Sequence, residues 1–124
     1  MPKLRCIVLY TVKPGADPGT LQMLKKFLLE DFVPAEREAP GLISIEVDER
    51  YVEPTPQEGV DVASDLAFLE LWNSAESHHD WWTGDNSSPR SDRVKAAMKR
   101  MEGIMQSPHG QYIETFDYHY TVVE

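Results

Sequence analysis

A chain of 124 residues, 41% hydrophobic and 27% charged, has the size and composition of one globular domain, 1–124, able to bury a core without disulfides. Its net charge of −9 excludes nucleic acid and anionic membrane as natural partners, since both need a basic surface. Cys6 is the only cysteine, and no stretch has the apolar length of a secretory leader or a membrane span, so a cytoplasmic location is expected.

Lys3 to Val12 is rich in β-branched residues and reads as a first strand. Cys6, Val8, Tyr10 and Val12 share one face, while Arg5, Ile7, Leu9 and Thr11 share the other. Both faces are apolar at the centre, so this strand should be central and covered on both sides, with Cys6 a small buried hydrophobe. Lys13-Pro14-Gly15 stops it. Asp17-Pro18 reads as an N-cap and first-turn pair opening a helix, whose stripe is Leu21, Leu24, Phe27, Leu28 and Phe32. Pro34 should end or kink that helix, with one more turn through Glu38.

Leu42 to Val52 alternates as a second strand, and the Pro- and acid-rich stretch 53–64 reads as an exposed loop. Leu66 to Trp72 is a third strand, followed by a short helix opening at Asn73 or Ser74. Phe68, Glu70 and Trp72 lie on one face; Ala67, Leu69 and Leu71 on the other, and this aliphatic set should face the helices. After a polar loop, Ser88-Pro89 resembles a further cap. Val94, Ala97, Met98, Met101, Ile104 and Met105 then follow at the spacing of one helical face. Gln111 to Val123 is the last strand, with Tyr112, Glu114, Phe116, Tyr118 and Tyr120 on one side.

This order matches the ferredoxin-like split βαβ plan: an α+β fold with a four-stranded antiparallel sheet and helices on one face. The other face, expected to carry Trp72, Phe68, Tyr10, Phe116 and Tyr112, is too aromatic to leave in water. A homodimer is expected to close it, sheet against sheet, with a cavity between the copies.

Three stretches carry a family resemblance: Val12-Lys13-Pro14-Gly15, Ala39-Pro40-Gly41-Leu42-Ile43-Ser44 and Glu70-Leu71-Trp72-Asn73-Ser74-Ala75-Glu76. Over Lys3 to Tyr118 the chain resembles the antibiotic biosynthesis monooxygenase family of dimeric α+β barrels. The resemblance implies an oxygenase of anthrone- or quinol-like molecules that uses no cofactor, with Trp72 lining a cavity between sheet and helices. Members often carry a His nine residues past that aromatic, where this chain has Trp81. Val8 stands where the haem-degrading branch has an Asn. Both departures speak against haem.

Oxygenation without a cofactor needs a base of near-neutral pKa, a donor for the substrate oxyanion and an apolar slot. The candidates are His79 or His78 as base, Tyr10, Tyr112 or Asn73 as donors, and Trp72, Phe68, Trp81 and Phe116 as walls. Trp72 and Phe68 equally suit an ordinary core. Glu70 on an aromatic face must be paired, either with Arg5 or Arg50 across an interface or as an acid of raised pKa. His78 and His79 point about 100° apart on a helix, and there is no His-x-x-x-His, so no metal site is expected. The partner classes are therefore a small hydrophobic or aromatic ligand and a second copy; the rival to an enzyme is a dimer that binds such a ligand without turning it over.

Overall fold

In the computed structural model, which describes residues 1–51, 64–83 and 90–123, the strand β1 (Leu4–Val12) lies inside the sheet, apolar on both faces as its sequence requires. It pairs antiparallel with β3 (Leu66–Trp72) on one side and β4 (Ile113–Thr121) on the other. The strand β2 (Leu42–Glu49) pairs with β3, giving the order β2-β3-β1-β4. Helices cover one face, and the fold is the ferredoxin-like α+β plan. The 53–63 part of the expected loop and the Ser88-Pro89 cap lie outside the described residues.

The first helix, α1 (Thr20–Phe27), starts two residues later than Asp17-Pro18 implied. Asp17 instead closes a preceding turn, its Oδ1 accepting from Gly19 N–H at 2.8 Å. Pro34 acts at a distance. Its ring would clash with the carbonyl one turn back and its nitrogen has no proton to donate, so the chain widens into a π-helical turn, Leu28–Phe32. One α-turn, α2 (Val33–Glu36), completes the excursion and aims Glu36 inward. The third helix, α3 (Ala75–Thr83), is capped by Ser74, whose Oγ accepts from Ser77 N–H at 3.1 Å. The long α4 (Asp92–Gln106) is capped by Ser91, not Ser88, through Val94 N–H at 3.3 Å.

Register corrects one central expectation. Cys6, Val8 and Tyr10 pair with Glu70, Phe68 and Leu66 on one side and with His119, Asp117 and Thr115 on the other. All of these face the helices, and Phe68, Glu70 and Trp72 are buried there. The aliphatic set Ala67, Leu69 and Leu71 faces away, beside Ile7, Leu9, Phe116, Tyr118 and Tyr120. The sequence reading had the two sides of β3 reversed, and it grouped Trp72, Phe68 and Tyr10 with Phe116 although they lie on opposite faces. Hydrophobicity alone misled it: an aliphatic run suits an interface as well as a core, and a buried acid is tolerated where another group holds it.

The covered side holds two packed clusters. One joins Tyr10, Leu24, Phe27, Leu28, Phe32, Leu66 and Phe68; the other joins Leu4, Cys6, Ala35, Trp72, Trp81, Val94 and Ala97. Gly41 links two of the resemblance stretches. Its φ is +91°, and a Cβ there would come within 2.7 Å of Ser77 Cβ and 2.8 Å of Asn73 Oδ1. Asn73 N–H donates to the Gly41 carbonyl at 2.8 Å, so the two stretches form one corner of the fold. Among the described residues no helix is long and apolar enough to cross a membrane.

Candidate functional site

Between the sheet and the helices lies a cavity of about 710 Å³. Its floor is Cys6, Val8 and Tyr10 of β1, Phe68 and Glu70 of β3, and Thr115, Asp117 and His119 of β4. His78 and Trp82 of α3, Met98, Met101, Glu102 and Met105 of α4, with Phe32 and Arg90, form the roof and sides. The Met side chains leave the helical stripe at this point: Val94, Ala97 and Ile104 pack into the core, while the longer, softer Met residues line the hollow.

Glu70 is 3% exposed and Glu36 2%, and their carboxyls are in hydrogen-bond contact. As two carboxylates they would repel, and Oε2 of each would lack a donor. One shared proton removes both difficulties. Burial, then the contact with Glu36 and its charge, push Glu70 up to about 10. Burial raises Glu36 too, but Glu70, the Trp81 indole and the Arg90 charge all favour its ionised form. Trp81 Nε1 donates to Glu36 Oε1 at 3.1 Å. Arg90 donates to the Trp81 carbonyl, lies 5.6 Å from the centre of the Trp81 ring, and reaches Met98 Sδ at 3.4 Å. Of the pair, Glu70 is therefore the group that holds a proton near neutral pH. The Trp72 indole N–H is near enough to favour a charged Glu70, yet forms no well-made hydrogen bond.

His78 is half-buried, with its ring edge-on to Trp72 at 5.2 Å and to His119 at 5.0 Å. Burial, and then the neighbouring His119, lower its pKa, so it is an uncharged imidazole at pH 7. Asp117 Oδ1 meets His119 Nε2 at 3.1 Å. Burial pushes the Cys6 thiol up to about 12, and it raises the Tyr10 phenol as well, so both keep their protons. The Trp82 ring stacks on Phe32, centroids 6.2 Å apart.

Of the candidates named from sequence, His78, Tyr10, Phe68 and Glu70 line the cavity. Trp72 is fully buried beside it, against His78. Trp81 is buried behind Glu36, and its neighbour Trp82 is the one that lines the hollow. His79 and Asn73 are exposed; Tyr112 sits at the far end of β1, against Gly15; Phe116 is on the open face. Glu70 meets Glu36, whereas Arg5 faces the opposite side of the sheet. Cys6, Glu36, Asp117, His119 and the Met residues were not foreseen as site residues. The four-residue spacing of His78 and Trp82 does place them on one helical face. Nothing local in the sequence announces that Glu36 enters from a π-distorted helix.

No protein-family profile matches the chain, and no curated protein matches it in sequence. Solved structures do match in shape. One is a dimeric ferredoxin-like protein of unknown function from Bacteroides fragilis, at TM-score 0.63 and 13% identity over 97% of this chain and 96% of that one. Another is a putative antibiotic biosynthesis monooxygenase from Bacillus cereus, at TM-score 0.55 and 17% identity over 100% and 96%. A third is SnoaB, a cofactor-independent oxygenase from Streptomyces nogalater, at TM-score 0.53 and 8% identity over 100% and 96%. At these identities the likeness establishes the fold.

Proposed function

We propose that the cavity holds an aromatic, anthrone- or hydroquinone-like molecule and removes a proton from it, so that the anion reacts with dioxygen without a cofactor. The observation that carries this reading is an uncharged imidazole, His78, and a protonated carboxyl, Glu70, lining the same largely apolar hollow. His78 accepts the substrate proton. Glu70 turns its proton from Glu36 to the oxygen on which negative charge develops, and Tyr10 is a second donor. The Trp81 indole and the Arg90 charge offset the cost of negative charge on Glu36. The anion passes one electron to dioxygen, the radical pair joins through a new C–O bond, and the protonated hydroperoxide loses water. In an anthrone the ring methylene thereby becomes a carbonyl, with one dioxygen consumed and one water released. Phe68, Trp82 and the Met side chains exclude solvent from the intermediate.

Two copies pair through the open face, where Phe116 is 43%, Tyr118 42% and Tyr120 54% exposed in the single chain. The dimeric description of structural neighbours supports this pairing.

An oxygen electrode and a panel of anthrones and hydroquinones test the reaction. Uptake above the blank is expected for the native chain, falling roughly 10²–10⁴-fold in His78→Ala. Tight binding of the same compounds with no uptake would favour a non-catalytic carrier, a reading that the adaptable Met98, Met101 and Met105 wall supports.

A further inference from the structure

Three side chains on three separate elements converge in the cavity in a way the oxygenase reading does not use. Cys6 of β1 and His119 of β4 are direct cross-strand partners, so their side chains stand next to one another on the covered face. His78 reaches the same point from α3. The Cys6 sulfur and one ring nitrogen from each His all lie within 4.8 Å of one another.

We propose that Cys6, His78 and His119 bind a thiophilic transition-metal dication of the zinc class. One sulfur and two imidazoles are a donor set that selects zinc or its neighbours over magnesium and calcium. Zn–S and Zn–N bonds of about 2.3 and 2.0–2.1 Å put tetrahedral ligand atoms roughly 3.3–3.6 Å apart, so the cluster has to close by no more than about 1.5 Å. The half-buried His78 and the exposed His119 have room for that movement; Cys6 is fixed in the sheet. Asp117 Oδ1 lies 3.1 Å from His119 Nε2, a carboxylate that can orient the ligand imidazole through its second nitrogen. Asp117 acts on the Cys6 sulfur as a negative charge, a field that favours a cation there, and metal binding expels the thiol proton to solvent. The fourth coordination position opens on the cavity. A bound metal takes the His78 lone pair, so the loaded protein is the form without a free base.

Cobalt(II) titration of the full chain, followed by absorption, tests the site and needs no substrate, so its outcome is independent of the oxygenase reading. The expected result is one cobalt per chain with a thiolate-to-cobalt charge-transfer band, displaced by zinc(II). Cys6→Ser should abolish the band, and His119→Ala, a change at an exposed side chain that leaves the core intact, should weaken binding at least about tenfold. Asp117→Asn should weaken it by about 10–100-fold with the band retained. His79→Ala, altering the adjacent exposed imidazole, should leave the titration unchanged. A folded native chain that shows no charge-transfer band, or Cys6→Ser binding cobalt as tightly as the native chain, would overturn the site.

Discussion

The covered face of the sheet sets Phe68 and Trp72 beside Cys6, Glu70, Asp117 and His119, whereas the open face sets Phe116, Tyr118 and Tyr120 beside Ile7, Leu9, Leu69 and Leu71. Both are aromatic. Only the first buries titratable side chains, Cys6, Tyr10 and Glu70, and encloses a hollow. Rings by themselves thus do not separate a binding site from an interface; the buried groups that need protons and partners do. The open face offers contact area, and the covered face offers chemistry.

The largest expected effect that sharpens this contrast is at Trp72. Its side chain is fully buried, so Trp72→Ala should cost about 3–5 kcal/mol in denaturant unfolding, where a ring that merely walled a pocket would cost much less. Next comes Tyr118→Glu. A charge placed centrally on the open face should weaken the proposed dimer by about 3 kcal/mol or more, on the order of 10²-fold, in sedimentation equilibrium. An unchanged dimer would mean that the copies meet elsewhere.

Glu70→Gln should have a smaller, pH-dependent effect. The folded pKa of about 10 lies above the ordinary 4.5, so the folded state binds the extra proton between these values. That contribution to stability is complete below about 4.5 and is lost as pH rises toward 10. Glutamine can still donate to Glu36 but carries no such proton. The melting temperature of the variant, relative to the native chain, should therefore climb steadily between pH 5 and 9. A constant difference would mean that Glu70 is ionised throughout. The smallest effect is expected at His79, exposed and off the cavity: His79→Ala should change oxygen uptake by less than about twofold, within the range of a neutral surface substitution.

Much of the fold is legible in the sequence because it rests on local signals. Alternation marks β1, β3 and β4, the proline at 34 marks the break after α1, and Ser74 marks the start of α3. Which face of β3 the helices cover is not local. It follows from the register of β1 against β3 and β4, which brings Cys6 level with Glu70 and His119. For the same reason His78, Tyr10, Phe68 and Glu70 could be singled out by residue type, but Glu36, Asp117 and His119 could not be joined to them. Trp81 and Trp82 show the limit most simply: adjacent on α3, they differ by about 100° in direction, and that rotation decides which one meets the cavity and which one meets Glu36. The resemblance stretches around Gly41 and Asn73 meet at a corner outside the hollow, which is why they speak to the fold and not to the substrate.

The most direct test of the proposed cavity site is calorimetric titration of one hydroquinone probe into two variants. Met101→Trp fills the cavity from α4, while Phe116→Ala combined with Tyr118→Ala strips the open face. Affinity is expected to fall at least about tenfold in the first and to persist in the second. Retained affinity with the cavity filled, together with its loss on the stripped face, would contradict a site beneath the helices.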